Sequence, residues 1–188
     1  MFQRLQTVYI LLAIVAIALS AVFNIANYTA SKDSAELTFS VSVSGIKAEL
    51  SGDDKKGNEL SEIRDVPEKF IEAKGLSKYF KMGLLLVVSA IGLLLFMLLK
   101  YKNLKLQLRL GRILFLLFLI GFVSLIFAAD LGNDVLKKTL DGAVIMPEFE
   151  TGYGVGLFMP MVAAAFVFLA NLRIKNDMKL LASIDRIR

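Results

Sequence analysis

Four stretches of the chain, Val8–Phe23, Met82–Leu99, Ile113–Ala129 and Gly154–Leu172, are apolar all round and contain no Asp, Glu, Lys or Arg. A helix in water needs one polar face, and none of the four has one. At about 1.5 Å per residue each makes a rod of roughly 25–28 Å, close to the hydrocarbon thickness of a bilayer, where a helix satisfies its backbone hydrogen bonds internally. The pattern predicts an all-α membrane protein: four transmembrane helices with a small β-containing cap from the outer loops. The expected segments are a first membrane helix over 1–27, an outer loop over 28–79 and a second helix over 80–100. A basic cytoplasmic link over 101–112 follows, then a third helix over 113–129, a second outer loop over 130–153, a fourth helix over 154–172 and a basic tail helix over 173–188.

Within the first outer loop, AELTFSVSVSG places Leu37, Phe39, Val41 and Val43 in alternation with Thr38, Ser40, Ser42 and Ser44, the period of a half-buried strand. Ile46–Leu50, after Gly45, is expected to return as a second strand, and GAVIMPEF in the second outer loop is a third β-prone run. The charged stretch from Ser51 to Glu62 reads as an exposed tip. Pro67 and Gly75 bracket a short helix. These pieces serve either as a cap over the helix ends or as a docking face for a partner.

Charge adds an orientation. The 22 Lys and Arg against 17 Asp and Glu leave a net charge of +5, and cationic residues next to membrane crossings stay on the cytoplasmic side. Arg4, Lys100, Lys102, Lys105, Arg109, Arg112, Arg173, Lys175, Lys179, Arg186 and Arg188 gather at the ends and the middle link. The 130–153 loop has two basic residues against five acids. Both termini are therefore expected in the cytoplasm, in a multi-pass protein of a bacterial inner membrane. Ala18-Leu19-Ser20 before Ala21 loosely fits a signal-peptide cleavage site, but the first stretch is read as a retained helix. Tyr9, Tyr28, Tyr79, Tyr101 and Tyr153 all fall near expected membrane edges, where amphipathic rings collect.

Lys102, Lys105, Arg109 and Arg112 step by three, four and three, a helical stripe that outweighs the alternating leucines around it and starts the third helix near Leu104. Lys175, Lys179 and Arg186 repeat the device in the tail, with the fourth helix running on past the bilayer, or bending or breaking near Asn171. These seven cations are the candidate contacts for membrane lipids or a cytoplasmic partner, at about 1 kcal/mol each toward anionic lipid. Other integral membrane proteins are the expected partners, and contact of the basic stripes with RNA or a ribosome is an alternative.

Candidate chemistry is sparse. Without Cys or His there is no thiolate, disulfide, Cys/His zinc site or imidazole base. Ser20 and Ser89 have no base at their depth. Glu148 with Glu150, and Asp53 with Asp54, read as exposed loop charge rather than as an enzyme site. No catalytic residue, cofactor or metal is predicted. Gly83, Ser89, Gly92, Gly121, Ser124 and Ala163–Ala165 suit close helix packing, Pro160 suits a kink, and TGYGVG a flexible entry to the fourth helix.

The ends QRLQTVYILLA and LANLRIKNDMKLLASIDRIR resemble those of a family of small four-helix inner-membrane proteins of Bacteroidota-type bacteria, catalogued as a domain of unknown function. The resemblance implies an inner-membrane address and brings no active site. The expected role is a non-catalytic accessory or scaffold subunit of a larger inner-membrane complex, with protein-export machinery as the named example. The alternative is a lipid- or small-ligand-binding membrane protein or transporter with a cavity beside Pro160.

Overall fold

The computed structural model describes residues 3–32, 35–43, 45–52, 76–101, 103–140 and 148–185. In chain order these form α1 (Gln3–Val22), β1 (Asn24–Lys32), β2 (Ala35–Ser42), β3 (Gly45–Gly52), α2 (Leu76–Leu99), α3 (Leu104–Leu140), β4 (Glu148–Tyr153) and α4 (Val155–Asp185). The chain is mostly helical, with one antiparallel sheet of strand order β3-β2-β1-β4. Three helices are long and apolar enough to cross a membrane, over Leu5–Val22, Leu104–Asp130 and Val155–Ser183, and α2 holds a shorter apolar segment, Leu84–Leu99. Only 17–39% of the residues in the three long windows are buried within the chain. Their outward apolar faces therefore need a non-aqueous surrounding.

Two compact units divide the chain, one made of residues 1–19, 86–123 and 158–188, the other of residues 20–85 and 124–157. The first is a bundle of four helical segments. Each contributes one buried stripe at helical spacing: Gln6, Ile10, Ala13 and Ile17 from α1; Ala90, Leu94 and Met97 from α2; Gln107, Gly111, Leu114 and Phe118 from α3; Ala163, Val167, Ala170 and Ile174 from α4. Alanines on α1, α2 and α4 let the backbones approach closely. Gly111 lies against Asn171, Phe115 meets Phe168 at 5.8 Å between ring centroids and Phe122 meets Phe158 at 6.3 Å, so α3 and α4 run antiparallel.

The small residues expected at helix contacts are only partly used. Ala163 and Ala164 are buried, but Ser89 and Gly92 are exposed, and a side chain added at Gly92 or Gly121 would meet nothing within 4 Å. Ser89 instead donates its hydroxyl to the Leu86 carbonyl one turn back, at 2.8 Å.

The second unit contains the sheet. The β2–β3 hairpin forms as the alternation predicts, with Leu37 opposite Leu50 and Val41 opposite Ile46. Its other two strands depart from expectation. Residues 24–27, predicted as the end of the first membrane helix, open β1, because pairing with β2 on one side and β4 on the other satisfies their backbone without a helix. Asn24 pairs with Ser42 but Ala26 pairs with Val41, so Ile25 is an inserted residue, a β-bulge. Ile25 and Ala26 are consequently both buried, which breaks the strict alternation.

In the second outer loop the strand is Glu148–Tyr153; residues 141–147 of the GAVIMPEF region lie outside the described residues. The same is true of 53–75, including the charged tip, Asp53, Asp54 and the short helix expected after Pro67. Residues 130–140, predicted as loop, are the last three turns of α3, since Leu131, Val135, Leu136 and Leu140 keep the helical period. α4 runs from Val155 to Asp185 without a break at Asn171, and its Pro160 is buried. TGYGVG is not a flexible entry. Gly154 donates its N–H to the bulged Ile25 carbonyl at 2.8 Å, and a side chain at Gly154 or Gly156 would collide with the Asn24 or Phe23 backbone.

Candidate functional site

The basic link between α2 and α3 is built on a tight turn. Lys100 N–H returns to the Phe96 carbonyl at 3.1 Å, Asn103 N–H bonds the Lys100 carbonyl at 3.0 Å, and the Asn103 carbonyl accepts the first helical bond of α3, from Gln107 at 3.0 Å. The last carbonyls of a helix lack intrahelical partners. Met97 is among these for α2, and the Gln107 side chain supplies its partner, donating Nε2–H to the Met97 oxygen at 2.8 Å. The Gln107 amide oxygen in turn accepts from Gln6 Nε2 at 2.5 Å. Both glutamines are buried, so one amide pair ties α1, α2 and α3 together where the basic segment begins.

Around this lock the cations face outward. Lys105, Arg109 and Arg112 on α3 and Lys175 and Lys179 on α4 are all exposed. Because Gly111 abuts Asn171 and the two helices are antiparallel, both sets occupy the same end of the bundle. Gln6 places the start of α1 at that end too. Lys102 and Arg186 lie outside the described residues. The Lys100 Nζ sits 5.8 Å from the Phe96 ring centroid, within cation–π range. Asn103, Lys105, Leu106 and Arg109 line a shallow open groove of about 260 Å³. An array of this kind attracts anions.

A second polar cluster lies in the sheet unit. Tyr28, 1% exposed, donates its hydroxyl to the Ala129 carbonyl at 2.6 Å, pinning β1 to α3. It is therefore an internal strut, buried against the chain rather than exposed on its surface. Tyr153 donates to Asp130 Oδ1 at 3.0 Å. Burial, aided by the Asp130 charge and the neighbouring Tyr153, pushes the Tyr28 phenol up to about 12. The hydrogen bond to Asp130, and that carboxylate's charge, also raise Tyr153. Glu150 is exposed on β4, paired opposite Thr29. Among the described residues, no group of three or more His, Cys, Asp or Glu comes together to hold a metal ion.

The family model described as a domain of unknown function (DUF4293) matches residues 2–187. The chain belongs to this family. No curated protein matches it. In this DUF4293 protein the residues that organise the basic end, Gln6, Gln107 and Gly111, were not singled out by charge or motif. Their signal is positional: Gln6 continues the stripe Ile10, Ala13 and Ile17, and Gln107 and Gly111 continue Leu114 and Phe118. Tyr28 and Ala129 carry no such mark, since their meeting depends on β1 crossing to α3.

Proposed function

We propose that the protein is a non-catalytic accessory subunit of a larger complex in a bacterial inner membrane. It crosses four times, α2 included, with both termini and the α2–α3 turn in the cytoplasm. Supporting the orientation, the exposed cations of α3 and α4 share one end of the bundle with the start of α1. The observation that carries the non-catalytic reading is the character of the buried polar groups. Among the described residues these are Gln6, Ser20, Ser42, Gln107 and Tyr28; none is a carboxylate, lysine or arginine, both glutamines serve to join helices and Tyr28 ties β1 to α3.

Gly92 supports docking. It is exposed on α2 with open space around it, so a partner helix can approach the backbone there. Purification of the tagged full chain in mild detergent, with mass spectrometry of what accompanies it, tests the proposal. The expected result is a recurrent integral-membrane partner, protein-export components being the first to look for, that is lost on Gly92→Leu while the fold persists. A chain that always elutes alone overturns it. The second reading, a lipid- or ligand-binding protein, is favoured by the Asn103–Arg109 groove rather than by Pro160, which is buried.

A further inference from the structure

The groove at the start of α3 and the outward face of that helix form one continuous surface. Leu106, Ile113 and Ile120 are seven residues apart, as are Arg109, Leu116 and Val123, and seven residues bring a helix back to within about 20° of the same direction. All six are exposed, Ile120 at 70%. Three cations, Lys105, Arg109 and Arg112, and an asparagine therefore stand at one end of an apolar track that runs unbroken from Ile113 to Val123. From Arg109 to Ile120 the helix rises about 16 Å, half the hydrocarbon thickness of a bilayer and the depth of one leaflet's acyl chains.

We propose that this surface is a binding site for one anionic phospholipid, with its phosphate held in the groove by Lys105, Arg109 and the Asn103 side chain and its acyl chains lying along Ile113, Leu116, Ile120 and Val123. Charge complementarity selects the occupant. Lys105 and Arg109 are in no ion pair among the described residues, so their charge is available to a phosphate. Leu106 between them contacts the glycerol and the first methylenes, a surface that a soluble anion does not use. A zwitterionic headgroup brings its own cation into the same groove and loses most of the attraction. The inference rests on the membrane placement of α3 proposed above and is independent of whether a protein partner docks at Gly92.

Native mass spectrometry of the full chain released from detergent micelles, titrated with dioleoylphosphatidylglycerol or dioleoylphosphatidylcholine, tests it. One phosphatidylglycerol should be retained in preference to phosphatidylcholine. The variant Lys105→Gln/Arg109→Gln should weaken that retention about thirty-fold, the effect of two charges near a membrane surface. Lys105→Arg/Arg109→Lys should keep it. Lys100→Gln/Arg173→Gln, which removes the same charge from the same end outside the groove, should leave it within about two-fold, additivity across separated sites assumed.

Equal retention of the two lipids, or equal loss in the two charge-removing variants, overturns the site while leaving the membrane placement standing. Retention of neither lipid also overturns the site. Displacement of phosphatidylglycerol by an equal concentration of inorganic phosphate overturns the lipid as the occupant.

Discussion

Gln107 shows how much one side chain can be asked to do in a helical bundle. It ends α2 by bonding the Met97 carbonyl and receives α1 through Gln6. Replacing it with leucine leaves a buried carbonyl and a buried amide without partners, each at a cost of roughly 1–3 kcal/mol. Thermal unfolding in detergent should show Gln107→Leu to be clearly destabilised, and Gln6→Leu/Gln107→Leu to be less so, because the second change removes one of the stranded groups. A double variant worse than the single one by the full cost of Gln6→Leu would mean that the two amides act independently. Tyr28 carries a different signature. Its phenol lies above the ordinary value of 10, at about 12, chiefly because burial disfavours the charged form. The stability this contributes is fully present below pH 10 and is lost as the pH rises toward 12. Followed by tyrosinate absorbance and unfolding together, the wild type should lose stability across that window. Tyr28→Phe, weaker by about 0.5–1.5 kcal/mol at neutral pH, should lose less of it.

At the scale of elements, the joint between β4 and α4 is the tightest backbone contact described. Gly154 and Gly156 stand where a Cβ would strike the carbonyl groups of Asn24 and Phe23, the start of β1. Backbone cannot swing aside as a side-chain tip can. Gly154→Ala should therefore destabilise the sheet unit by about 1–3 kcal/mol, whereas Gly92→Ala, in the open on α2, should be neutral or stabilising by up to about 1 kcal/mol through helix propensity. Limited proteolysis and thermal unfolding of the two variants side by side check this, and equal behaviour would show that the approach of β1 is looser than described. The hairpin of β2 and β3 was legible because alternation is a local signal. β1 was not, because NIANYTASK has no alternation of its own and becomes a central strand through two neighbours, one of them more than a hundred residues away in sequence.

For the whole molecule, the proposed arrangement makes a prediction that the absence of cysteine renders direct. Single cysteines at Lys179 and at Glu150, both exposed, should be labelled by a membrane-impermeant thiol reagent from opposite sides. The one at Lys179 should react only after the cytoplasmic face is opened. Labelling of both from the same side would remove the four-pass topology. The apolar rods and their flanking cations were legible from composition alone, because transfer of a side chain between water and lipid depends on that side chain and very little on its distant neighbours. The start of α3 at Leu104 was legible for the related reason that helical periodicity is local. Which glutamines would be buried against each other, that Gly111 would meet the Asn171 side chain and Gly154 the Asn24 backbone, and that Tyr28 would face inward were decided only by tertiary structure. Each depends on two segments far apart in sequence arriving at the same point, and no local pattern encodes that meeting.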